Sequence, residues 1–220
     1  MPKETFKNLP KEKRQLIEDV AIREFGAFGY DKASINRIVD KCQIAKGSFY
    51  QYFENKKDLF LYLIERVNEE KLEFISPVFK NSEKYDFFSL NKKLFVEGLK
   101  FAAANPEITL MGNWLLKSKD HPLYNEVIGT GLQNAQDVYT GLLKLAISKN
   151  EIRDDIDLDF ISYMISAMNA SVVEYYFQNI KGGESDIQKF DEGIIETVDL
   201  LLDFIKNGIE KRKKGGKDND

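Results

Sequence analysis

Apolar residues recur along most of this chain at intervals of three and four, the period of an amphipathic helix, with no convincing alternation at period two. The first stripe is Leu16, Ile17, Val20, Ala21, Phe25 and Phe28. It predicts a helix that opens near Pro10, preset for an early helical position, and closes before Gly29, a good residue just past a helix end. Ser34 suits the N-cap of a short second helix with Ile35, Ile38, Val39 and Cys42 inward. A break at Gln43-Ile44-Ala45 precedes a third short helix, Lys46 to Tyr52, whose inward residues are Phe49 and Phe53. Lys56 opens a long helix with Leu59, Phe60, Leu63, Ile64 and Val67 on one face, expected to end before Pro77.

The pattern stays helical beyond Pro77. Phe87 to Ala104 forms one segment, and Asn105-Pro106-Glu107 reads as N-cap, first position and acidic first turn of the next. His121-Pro122 opens another, to about Ser148. Asp157 and Asp159 suit the start of a long helix to about Ile180, which Gly182-Gly183 breaks; a last helix runs from about Asp186 to about Asn207. Residues 1–8 and 208–220 are polar and expected to be frayed. The fold class is all-α with about nine helices. The domains expected are 1–55, a three-helix module; 56–210, a helical body; and 211–220, a disordered basic tail.

Composition narrows the chemistry. One cysteine and one histidine in 220 residues exclude a disulfide framework, a cysteine-built metal site and His-pair zinc chemistry. No metal and no cofactor is implied. The net charge of −4 argues against nucleic acid until it is divided. Residues 1–66 carry 13 Lys and Arg against 10 Asp and Glu, whereas residues 67–210 carry 14 against 24. A basic module on an acidic body is the reading that follows. The N-terminal residues hold no apolar signal region. The longest uncharged stretch, Phe160 to Val173, has 14 residues, too short for a membrane span. A cytoplasmic protein without a membrane partner is expected.

The most informative segment is SINRIVDKCQIAKGSFYQYFENKKDL, from Ser34 to Leu59. Two short helices about a tight turn make a helix-turn-helix, whose second helix can enter a major groove. With Phe49 and Phe53 inward, Gly47, Ser48 and Gln51 point outward, flanked by Tyr50 and Tyr52, with Lys46 and Lys56 at the two helix starts. The set combines small residues for close approach, polar edges for bases and cations for phosphates.

The segment resembles the signature of the TetR family of bacterial transcriptional regulators, matching it at Ser34, Ile38, Ile44, Lys46, Gly47, Phe49, Tyr50, Phe53, Lys56 and Leu59. The step at Phe25, Gly29 and Tyr30 is also similar. Against the family pattern, Val39 and Cys42 replace alanines, Gln43 replaces the turn glycine, Ala45 a Ser or Thr, and Tyr52 a histidine. The resemblance implies that Ser34, Lys46, Gly47, Ser48, Tyr50, Gln51, Tyr52 and Lys56 stand where relatives touch DNA. Of these, Lys46, Tyr50, Tyr52 and Lys56 suit phosphates, and Ser48 and Gln51 suit base edges.

For the body, the resemblance implies a homodimer, joined by a four-helix bundle from the last two helices of each chain, on a palindromic double-stranded DNA operator. Two stripes suit that bundle: Ile161, Ile165, Met168 and Val172, then Ile194, Val198, Leu201, Leu202 and Ile205. The alternative is that both stripes are intramolecular core. The resemblance also implies an effector pocket among the middle helices, with Phe95, Phe101, Met111, Trp114, Leu115, Tyr139, Tyr163, Met164 and Asn169 as candidates. Aromatic and Met-rich, they favour a small hydrophobic or aromatic ligand. The function expected is a ligand-released repressor; the alternative is a DNA-binding adaptor controlled by a protein partner.

Other features are structural by their spacing. Asp154, Asp155, Asp157 and Asp159 lack EF-hand spacing, and Cys42 reads as a small apolar filler. No phosphate loop, nucleophile elbow or metal cluster emerges, so an enzyme is not expected.

Overall fold

Ten α-helices and one 3-10 turn account for the secondary structure of the computed structural model, which describes residues 1–176 and 192–210. The helices are α1 (Glu4–Lys7), α2 (Lys11–Lys32), α3 (Ile35–Lys41), α4 (Lys46–Tyr52), α5 (Lys56–Lys80), α6 (Phe87–Ala104), α7 (Pro106–Lys117), α8 (Pro122–Ser148), α9 (Leu158–Tyr175) and α10 (Glu192–Ile209). Among the described residues there is no strand, only an isolated antiparallel bridge between Ile152 and Glu210. The boundaries expected near Ile180, Gly182-Gly183 and Asp186, and the tail 211–220, lie outside the described residues.

The helix beyond the nine expected is α1, and it corrects the expectation of a frayed start. Phe6 is completely buried, its ring 4.7 Å from Phe53 and 5.5 Å from Tyr62. One apolar residue shows no period, yet it is enough to anchor a single turn. Helix α5 also differs, running through Pro77 to Lys80. Proline forfeits one ladder bond there; Ile75 and Val78 are buried beside it, and the Asn81 amide donates to the Pro77 carbonyl at 2.8 Å. Asn105 stands at the N-cap of α7, but its amide turns back to donate to Phe101 O of α6 at 2.8 Å. On α2, Leu16 and Phe28 are exposed rather than inward. The Arg37 guanidinium covers the Phe28 ring at 4.3 Å.

The chain divides into two units. The first comprises Met1–Ile75 and Gly98–Ile128. Its core joins Ile17, Val20, Ala21 and Phe25 of α2 to Ile38 and Val39 of α3 and Phe49 and Phe53 about α4. It extends past residue 55, because Leu59, Phe60 and Leu63 of α5 and Met111 and Leu115 of α7 complete it. Helices α2 and α7 pack closely: a Cβ added to Gly26 would stand 2.9 Å from the Glu107 carbonyl oxygen. Trp114 packs against Tyr30 and Phe60 with ring centroids 5.9 Å away in each case. Met111, Leu115 and Trp114, expected to line an effector pocket, therefore belong to this core.

The second unit comprises Ser76–Glu97 and the described residues from Gly129 on. Phe87, Leu143, Ala146, Ile152, Ile165, Ile205 and Ile209 form one cluster; Val172, Val198 and Leu202 form another, with Phe95 and Leu201 against it. The stripes expected to dimerise are thus largely intramolecular. Ile165, Val172, Ile194, Val198, Leu202 and Ile205 are buried within one chain, and Ile161, Met168 and Leu201 are half-buried against the same clusters. What α9 and α10 leave exposed is a different set: Phe160, Tyr163, Tyr175, Leu200 and Phe204. Tyr163 is 54% exposed, so it too leaves the expected pocket lining.

Candidate DNA-binding interface

Helix α3 opens on Ser34, whose hydroxyl accepts from the Arg37 amide at 3.4 Å, the N-cap geometry. A buried carboxylate fixes the same corner. Glu24 of α2 is fully buried; its Oε1 accepts from the Ser34 amide at 3.0 Å and from Arg37 Nε at 2.7 Å. Burial alone would raise the Glu24 carboxyl, but bonds from Arg37 and Ser34, with the charges of Arg37 and Lys41, bring it below its ordinary value. Arg37 also donates to Lys32 O at 2.8 Å, tying the end of α2 to α3.

The turn between α3 and α4 has a defined geometry. Gln43 donates to Asp40 O at 3.1 Å and Ile44 to Val39 O at 3.0 Å, the two bonds of a Schellman ending. That motif demands a left-handed residue, and Gln43 adopts φ 53°. A non-glycine residue there costs about 1–2 kcal/mol. Ala45 then takes the N-cap of α4 and offers no side-chain acceptor.

On α4, Phe49 and Phe53 are buried as the spacing predicts. Lys46, Gly47, Tyr50 and Gln51 are exposed and Ser48 is half-buried, so one face of the helix is open. Nothing stands within 4 Å of a Cβ added to Gly47. Two expected residues leave this set. Tyr52 is buried, its ring 5.8 Å from that of Phe6, so it packs rather than reaching phosphate. Lys56 directs its ammonium to the carbonyls of Tyr30, Asp31 and Ala33 at 2.7, 3.1 and 3.2 Å. A lysine has three N–H donors, and these bonds account for them; Lys56 closes the end of α2. Sequence reasoning missed Lys3 and Thr5, which lie against the far end of α4. Lys3 Nζ donates to Tyr50 O at 2.8 Å, and the Thr5 hydroxyl donates to Gln51 O.

The geometry is that of a helix-turn-helix whose second helix presents an open polar face. Residues 17–63 match the profile described as "Bacterial regulatory proteins, tetR family". A TetR family transcriptional regulator from Chloroflexus aurantiacus superposes with a TM-score of 0.64 at 29% identity, over 96% of this chain and 100% of that one. Residues 17–63 are thus a TetR-family DNA-binding domain. The "Probable acrEF/envCD operon repressor" of Escherichia coli K12 is 25% identical over 203 residues, 90% of each chain. The regulator FadR from Bacillus subtilis, solved with stearoyl-CoA, shares the fold at a TM-score of 0.68 and 19% identity, over 89% of this chain and 99% of that one. A chain with this domain is a DNA-binding transcriptional regulator rather than an enzyme. Among the described residues, no helix is long and apolar enough to cross a membrane.

Proposed function

We propose that the protein is a repressor that binds a palindromic operator as a homodimer, through Lys46, Gly47, Ser48, Tyr50 and Gln51 of α4 and Ser34 at the start of α3. The observation that carries this reading is the open face of α4, which sets Lys46, Tyr50 and Gln51 opposite buried Phe49 and Tyr52. Lys46 and Tyr50 hold phosphates and Ser48 and Gln51 read base edges. Gln51 suits adenine, which offers an acceptor and a donor together. Binding of the full chain to a duplex it selects from a random pool tests this. Lys46→Ala should lower the slope of log affinity on log salt by about 0.9 for each phosphate it no longer neutralises. Gln51→Ala should flatten the preference at one base pair per half-site. Unchanged affinity and salt slope in both variants would overturn the assignment.

The dimer forms through Phe160 and Tyr163 of α9 and Leu200 and Phe204 of α10. Leu200 and Phe204 are four residues apart, on one side of α10, and are 73% and 69% exposed. Two large apolar residues left in water on successive turns favour a covered face over a solvated one.

The effector is a small hydrophobic or aromatic molecule that binds in the second unit and shifts the chain toward a state with lower operator affinity. Phe95, Tyr139, Met164 and Asn169 remain as candidates there, and Phe101 of the first unit is buried against Phe74 at 5.6 Å. Tyr139 is the polar centre: its hydroxyl donates to Asn91 Oδ1 at 3.1 Å and accepts from Asn169 Nδ2 at 3.0 Å. Burial pushes its phenol up to about 12 despite the Asn169 bond. Asn91 Nδ2 and Asn169 Oδ1 are buried without a partner, which gives a ligand carrying a donor and an acceptor something to satisfy. A screen of lipophilic amides and alcohols that neither raises Tm nor releases the selected duplex would contradict this part.

A further inference from the structure

Helix α4 is only seven residues long, so most of its carbonyls lie in its last turn. A helix leaves its last four carbonyls without partners inside itself. Here those are Phe49, Tyr50, Gln51 and Tyr52. Phe53 N–H takes the first at 2.8 Å. The other three are all taken by one distant segment: Lys3 Nζ donates to Tyr50 O at 2.8 Å, the Thr5 hydroxyl to Gln51 O, and Lys3 N–H to Tyr52 O at 2.8 Å. Phe6, wholly buried between Tyr52, Phe53 and Tyr62, holds that segment in place. Every open acceptor at the end of α4 is thus met from residues 3–5, more than forty positions earlier in the chain.

We infer that Lys3 and Thr5 are positioning residues for DNA reading: they lock the last turn of α4 and so fix the direction of Tyr50 and Gln51. The inference rests on α4 being the helix that reads DNA. A seven-residue helix lies far below the length that holds itself together in water, about 12–15 residues. Its N-terminal end has no help from a side-chain cap, because position 45 is alanine. The C-terminal clamp therefore joins the packing of Phe49, Tyr52 and Phe53 in restraining the two side chains nearest it. Without it, Gln51 loses its fixed backbone carbonyl and the base must be read from a fraying turn. Non-specific binding, carried by phosphates, tolerates such fraying; base readout does not. Both clamping side chains are exposed, so their loss leaves the buried core intact.

Anisotropy binding of the full chain tests the clamp, with a duplex that the wild-type chain selects from a random pool and an unrelated duplex of equal length. Thr5→Val removes the hydroxyl and keeps the shape. It should weaken the selected duplex about fivefold, in line with the removal of one hydrogen bond. The unrelated duplex and the salt slope should stay unchanged, and Tm should fall by no more than about 4 °C. Thr5→Ser should restore binding. Lys3→Met should act in the same direction, and Lys3→Arg should rescue it. The clamp is overturned if Thr5→Val and Lys3→Met bind the selected duplex as wild type does while Gln51→Ala weakens it. It is equally overturned if both duplexes weaken together as Tm falls. If Gln51→Ala and Lys46→Ala also bind unchanged, the reading of α4 fails with it.

Discussion

The indole of Trp114 occupies the space that a Cβ on Gly29 would need: such an atom would stand 2.5 Å from the indole nitrogen. Gly29 also adopts φ 68° and ψ 169° inside α2, a backbone region open essentially to glycine. Two independent requirements meet at one residue. Gly29→Ala should destabilise the protein by about 3 kcal/mol or more, summing backbone strain and overpacking. Chemical denaturation of the purified chain measures it; a loss below about 1 kcal/mol would show that the helix end relaxes at little cost.

Gly47 provides the opposite case. It lies within α4 with open space around it, so alanine there should leave stability unchanged or raise it by about 0.5–1 kcal/mol. Operator affinity should fall, because the added methyl stands on the face proposed to approach DNA. A variant that melts higher and binds worse separates fold from function at one atom. Equal or tighter binding would remove Gly47 from the interface.

The turn before α4 carries two improvable residues. Gln43→Gly should relieve the left-handed strain and stabilise by about 0.5–1 kcal/mol, after the entropic cost of glycine. Ala45→Ser should supply the missing cap, worth about 1 kcal/mol. Denaturant midpoints of the single and double variants check both, with near-additivity expected only if the turn does not rearrange.

The Glu24–Arg37 pair should make the corner between α2 and α3 sensitive to acid. The Glu24 carboxyl is held below its ordinary value, so its contribution is fully present above pH of about 4.3, the unfolded reference. It is lost as pH falls through the lower folded value. Arg37→Met leaves a fully buried carboxylate without its main partner and should cost about 3 kcal/mol at pH 7. The gap between wild type and Arg37→Met should narrow below pH 4. A gap constant from pH 7 to 3 would show that the pair contributes nothing ionic.

Charge placed on the exposed face of α10 should separate the proposed dimer. Leu200→Asp with Phe204→Asp removes two exposed apolar side chains without touching buried Val198, Leu202 or Ile205. Sedimentation at micromolar concentration should report monomers, while the circular dichroism spectrum stays helical. A dimer that persists would move the interface elsewhere.

Much of this was legible in the sequence wherever one helix face is strongly apolar. Ser34 as a cap, the bounds of α4 and the inward phenylalanines follow from period and chemistry alone. Tyr52 was misread toward phosphate, although it lies three residues past Phe49 and beside Phe53, on the inward side of the helix. Other features depend on distant pairing. Nothing near Lys56 reveals that its ammonium meets carbonyls more than twenty residues earlier, and nothing near Lys3 points to α4. On α9 and α10, each helix carries two apolar stripes. Period cannot say which of them meets its own chain and which is left for another.

The aromatic cluster at the end of α2 has an optical consequence. Trp114 is the chain's one tryptophan, and it lies within 6 Å, ring centre to ring centre, of Tyr30, Phe60 and His121. Its emission therefore reports on the junction where α2, α5 and α7 meet. The protein carries its own fluorescent gauge at the point where helix α7 grips the helix that leads into the DNA-reading head.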